Sequence, residues 1–177
     1  MKNQKKKSFF RRAFLCLLAV LLAVCVAFGV YASDYYHADP AAEDALVSDD
    51  VVSVTKQNGN WVFAPESPTA GLLFYPGGKV DNNAYAPLLH DLAEDGILCV
   101  LVKMPCNLAV LDMNAADSIP ERFSEVTDWY IGGHSLGGAM AASYVAKHTD
   151  ELDGLVLLAA YSTPDLTASG LRVYSTY

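Results

Sequence analysis

The segment Trp129-Tyr130-Ile131-Gly132-Gly133-His134-Ser135-Leu136-Gly137-Gly138 constrains this chain more than any other, because it sets a serine between two glycines where a strand gives way to a helix. The aromatic and β-branched lead-in, Trp129 to Ile131, favours an extended backbone. Ala139 to Lys147 is rich in helix formers and in small side chains suited to close packing on a sheet. The pattern G-x-S-x-G needs glycine at 133 and 137, since a tight bend brings strand and helix too close for a Cβ. It leaves the serine strained and exposed. Ser135 is therefore the candidate nucleophile, its hydroxyl facing a substrate instead of the core.

Two other readings of the same residues compete. Gly133-x-Ser135-x-x-Gly138 matches two of the three glycines of a dinucleotide-binding turn. The middle glycine, which lets the backbone approach a pyrophosphate, is missing, and Asp153 precedes the next apolar run instead of following it. An ordinary strand-to-helix turn with a capping serine is the simpler alternative.

The N-terminus carries a targeting segment. Lys2, Lys5, Lys6, Lys7, Arg11 and Arg12 precede an uncharged run from Ala13 to Tyr31, which as a helix spans about 28 Å, close to the hydrocarbon thickness of a bilayer. The basic flank is expected to stay in the cytoplasm, with the rest of the chain outside it. Residues 1–32 thus read as a transmembrane anchor or as a signal peptide cleaved after Val30-Tyr31-Ala32. Val24 is too bulky for a lipoprotein box before Cys25, and Arg11-Arg12 reads better as positive-inside charge than as a twin-arginine signal.

Six of the twelve basic residues lie in this leader and all twenty acidic ones lie beyond it. So acidic an exported portion excludes nucleic acid as a partner. Cys99 and Cys106 are too far apart along an extended segment for a disulfide, so free thiols are expected. No metal-ligand spacing is visible and no cofactor is expected.

Residues 33–50 are short, acidic and without periodicity, and read as a spacer. Folding is expected to begin near Val51 with a hairpin, Val51–Thr55 and Trp61–Phe63 around Asn58-Gly59. Strands at 71–75, 97–103, 155–159 and 171–174 then alternate with helices at 83–94 and after Ser135, and a short helix is expected over Leu108–Ala116. Apolar strands separated by amphipathic helices imply an α/β fold with a mostly parallel sheet covered on both faces.

This order of parts resembles the α/β-hydrolase superfamily over residues 51–177, through Gly133-His134-Ser135-Leu136-Gly137-Gly138 and through Tyr75-Pro76-Gly77-Gly78-Lys79, which looks like the family's oxyanion loop. The resemblance implies that Ser135 is a nucleophile toward a small-molecule acyl substrate. It also implies that the backbone N–H groups of Leu136 and of Gly78 or Lys79 bind the oxyanion. In that family an acid and then a histidine follow the serine. Here His134 adjoins the serine but should project away, His148 lies about 20 Å along the same helix, His90 rides on another helix and His37 is in the spacer. Asp165 reads as a loop residue. The expectation is an N-terminal portion of a hydrolase domain that stops before its acid and base, with too few residues between Ala160 and Leu171 for a lid. The alternative is a non-catalytic binding or scaffold module.

Overall fold

A computed structural model describes residues 2–177, with side chains described from residue 9 onward. Two units divide the chain, Met1–Asp34 and Tyr35–Tyr177. The first is a single helix, α1 (Lys2–Ser33), whose stretch Phe9–Ser33 is long and apolar enough to cross a membrane, with a mean hydropathy of 3.0 over 18 of its residues.

The second unit is built on a seven-stranded sheet. It opens with the hairpin β1 (Val52–Gln57) and β2 (Asn60–Pro65), in which Gln57 faces Asn60 across Asn58 (φ 52°) and Gly59 (φ 89°). Two consecutive residues of positive φ make the turn whose twist matches the strands, which is why Asn-Gly predicted it. There follow β3 (Ala70–Tyr75), a 3-10 turn (Asn82–Tyr85), β4 (Ile97–Leu101), β5 (Trp129–His134), β6 (Gly154–Leu158) and β7 (Arg172–Thr176). The order across the sheet is β1-β2-β4-β3-β5-β6-β7, parallel from β4 to β7 with β1 and β2 antiparallel at one edge.

Strand alternation sorts the core into two clusters. Leu73 and Tyr75 of β3 pack on the face covered by α4 (Leu136–Val145), with Ala141, Ala142 and Val145. Leu72 and Phe74 point the other way, toward Leu89 and Ala93 of α3 (Ala86–Glu94). On that second face α3 leaves an apolar trough of about 450 Å³ between Leu88, Leu92, Tyr130, Val156 and Tyr174. Every residue of β7 is exposed.

Two expectations are corrected. Residues 35–50 are part of the folded unit, not a spacer. Tyr36 bridges to Val80, and Asp39 caps the helix α2 (Pro40–Asp44) by accepting the Ala42 N–H at 3.0 Å, while Ala42 is 2% exposed. One turn of helix with a single buried alanine is too short to leave a periodic signal. Residues 108–116 form no continuous helix but a 3-10 turn (Ala109–Leu111) and further turns. Cys106 (φ 52°) and Asn107 (φ 54°) take left-handed backbone just before it. The buried Tyr75 hydroxyl then donates to Met113 O at 2.7 Å and accepts the Ala116 N–H at 3.1 Å, replacing the hydrogen bonds that a helix would have supplied.

Candidate active site

β3 has β4 on one side and β5 on the other, and the helices that follow β3 and β5 cover opposite faces. Chain connections therefore part in opposite directions at the carboxyl ends of these strands, the place where open α/β sheets bind their ligands. The register sets Tyr75 beside Gly133, so the loop after β3 and the turn after β5 meet at that end of the sheet.

Ser135 occupies the β5–α4 turn with φ 51° and ψ −119°, a backbone conformation costly for any residue bearing a Cβ. It is exposed. Its N–H donates to Leu158 O at 3.0 Å and its carbonyl accepts the Ala139 N–H at 3.1 Å, so the main chain is fixed on both sides. The side chain makes no capping hydrogen bond, against the reading of Ser135 as a helix cap. The flanking glycines are required by contact, as expected. A Cβ on Gly133 would lie 2.6 Å from Gly137 C and from Tyr75 O, and one on Gly137 would strike Tyr75 O and Pro76 O.

Among the candidate donors, Leu136 is the first residue of α4, where a helix leaves its N–H groups unpaired and its dipole favours negative charge. Gly78 is packed on it, the position of its absent Cβ lying 2.9 Å from Leu136 Cδ2. Among the described residues neither N–H has a hydrogen-bond acceptor. Lys79 is corrected: its N–H donates to Asn107 O at 2.9 Å and is not available to a ligand. Gly77 is likewise committed, to the hydroxyl of Tyr85 at 2.9 Å.

None of the histidines hydrogen-bonds Ser135 among the described residues. His134 Nδ1 lies 2.9 Å from Tyr85 Oη, as its projection away from the serine required. His90 faces Ala45 O and Asp49, His148 stacks on Tyr144 beside Glu151, and His37 packs on Tyr35. Asp165 Oδ1 accepts from Thr167 N and Oγ1, a loop-capping role whose hydrogen bonds hold its carboxyl below the ordinary value. Burial pushes the thiol of Cys99 up, and it remains a free thiol, as does Cys106. Asp49, His90 and Glu94 have donor atoms within 4.8 Å of one another, the one grouping among the described residues with the spacing of a metal site. The sequence spacing did not reveal it, because Asp49 and His90 meet only on folding.

The residues that sequence reasoning missed are those that hold the loop after β3: Tyr85, Asn107 and the hydroxyl of Tyr75. No local pattern marks them.

A model of the alpha/beta hydrolase family matches residues 71–177, which include the loop after β3 and the turn after β5. The chain belongs to the α/β-hydrolase family. Among solved structures, this α/β-hydrolase is similar to TT1662 from Thermus thermophilus (18% identity, TM-score 0.51, covering 70% of this chain and 63% of that one). It is also similar to a bacterial heroin esterase (20% identity, TM-score 0.50, covering 68% and 50%). At such identities the likeness is one of fold. The chain spans between half and just under two thirds of the length of these two structures. No curated protein matches its sequence.

Proposed function

We propose that this α/β-hydrolase is a serine hydrolase acting on an ester, thioester or amide through an acyl-enzyme on Ser135. The observation that carries the reading is the exposed, backbone-strained serine beside two uncommitted N–H groups, of Leu136 and Gly78. In the reaction, Ser135 Oγ bonds to the carbonyl carbon as its proton passes to a general base, and the carbonyl electron pair moves onto oxygen, where the two N–H groups stabilise it. The leaving group then departs with the proton, and water releases the acyl group by the same steps.

The reading requires a base, and His37, His90, His134 and His148 are engaged elsewhere. It therefore predicts that the acid and histidine come from sequence other than these 177 residues, and that these residues alone turn over substrate slowly or not at all. The turn-rich segment between β6 and β7 contains no helix, which suits small, accessible acyl substrates. On the same reading α1 is either a membrane anchor with its basic end in the cytoplasm or a signal peptide that is removed, the sheet domain lying outside the cytoplasm in both cases, and no nucleic acid binds so acidic a domain.

A fluorophosphonate probe on the full-length protein provides the test. Labelling that is lost in Ser135→Ala supports the hydrolase, as does a matching loss of aryl-ester hydrolysis. An unlabelled full-length protein that nevertheless binds acyl compounds would establish the second reading, a binding module, which the four engaged histidines favour.

A further inference from the structure

We infer that Tyr85 is a positioning residue for the oxyanion site: its hydroxyl ties the loop that presents Gly78 to the strand end that presents Ser135. The inference rests on the proposed role of Ser135. One oxygen makes both ties. Tyr85 Oη accepts the Gly77 N–H at 2.9 Å and lies 2.9 Å from His134 Nδ1, and these two residues directly precede Gly78 and Ser135 in the chain. The separation of donor and nucleophile is thus set by a side chain that touches neither.

Hydrogen-bond chemistry gives the bridge a direction. The amide of Gly77 can only donate, so Oη accepts from it. Burial pushes the Tyr85 hydroxyl above its ordinary value, against the opposing effect of the Gly77 amide, and the oxygen keeps its proton. His134 Nδ1 is the ring nitrogen within reach, and it accepts from Tyr85 in the tautomer that has its ring proton on Nε2. Each bond in such a chain polarises the next.

The surroundings are built for this arrangement. Tyr85 ends the 3-10 turn that Asp81 caps by accepting the Asn83 N–H. Its ring packs at 5.2 Å on Phe74 and 5.8 Å on His134. A Cβ on Gly77 would sit 2.6 Å from Tyr85 Oη and 2.7 Å from His134 Nδ1, so glycine at 77 makes room for the bridge. Tyr85 also takes the Gly77 amide out of competition and leaves the Gly78 amide uncommitted.

The test uses the full-length protein in detergent micelles, with fluorophosphonate labelling of Ser135 as one readout and the ¹⁵N resonances of His134 as the other. Tyr85→Phe, which removes only the hydroxyl, is expected to slow labelling about tenfold or more, the scale on which misplacement acts, and to shift the His134 Nδ1 resonance. His134→Asn sets an acceptor oxygen near the place of Nδ1 and should label close to the wild-type rate, whereas His134→Ala should be slowed. This second pair decides the matter if Tyr85→Phe fails to fold. Wild-type labelling rates in folded Tyr85→Phe, or equal rates in His134→Asn and His134→Ala, would overturn the positioning role while leaving Ser135 as nucleophile. A wild-type protein that is not labelled, or Ser135→Ala that still is, would remove the nucleophile and the positioning role together.

Discussion

The turn after β5 and the loop after β3 meet at one end of the sheet and are held in opposite ways. The β5–α4 turn is held by what it lacks: glycines at 133 and 137 let its backbone pack directly on the backbone of Tyr75 and Pro76, while Ser135 O accepts the Ala139 N–H and Leu158 O accepts the Ser135 N–H. The loop from Pro76 to Lys79 is held from a distance, by the Tyr85 hydroxyl on Gly77 and by Asn107 O on Lys79. Asn107 in turn belongs to a segment whose backbone is satisfied by Tyr75. A nucleophile must stay put, and short-range repulsion is stiff. A donor loop fixed by single hydrogen bonds, each with a net contribution of about 1 kcal/mol, is softer and can be loosened by changes far along the chain.

The comparison can be broken most sharply at Gly137. Gly137→Ala should cost about 3 kcal/mol or more, because its Cβ meets two backbone oxygens that cannot shift independently; a urea midpoint equal to wild type would show that the turn is not sterically held. Tyr75→Phe should cost about 1–3 kcal/mol by leaving Met113 O and Ala116 N without partners. It should also slow labelling of Ser135 although the residue lies outside the turn. Asn107→Val should cost about 1–2 kcal/mol in the same measurement, because a β-branched side chain resists φ 54°, whereas Asn107→Gly should be close to neutral.

The smallest effect is expected at Asp49, remote from both loops. The N–H groups of Val52 and Val51 hold its carboxyl below the ordinary value of 3.8, with His90 adding to them. A depressed folded value means that the stabilisation is present above about pH 4 and is lost as the pH falls through the folded value. Melting followed from pH 7 to pH 2 should therefore show a small acid-side decline that Asp49→Asn flattens. An unchanged profile in the variant would remove Asp49 from the acid response.

Much of the fold was legible because it rests on short-range rules. Asn58-Gly59 specified the hairpin turn, short apolar runs specified the inner parallel strands, and Gly133-x-Ser135-x-Gly137 specified the bend. Residues 35–50 were misread because one turn of helix burying Ala42 has no period to detect. Residues 108–116 were misread because their composition suits a helix, while left-handed backbone at Cys106 and Asn107 and the buried Tyr75 hydroxyl impose turns instead. Lys79 fits the oxyanion loop by position alone, and its spent N–H appears only when Asn107 is brought beside it.

By itself, then, the amino-acid sequence determined the bend at Ser135, the hairpin and the alternation of strands and helices, since each depends on sterics and periodicity among near neighbours. Only the tertiary structure decided which amides remain free for a ligand, that Tyr85 joins two loops and that residues 35–50 are part of the fold. Hydrogen bonds between residues as far apart as 85 and 134 are made by chain crossings, and no local pattern encodes which crossing brings which acceptor to which N–H.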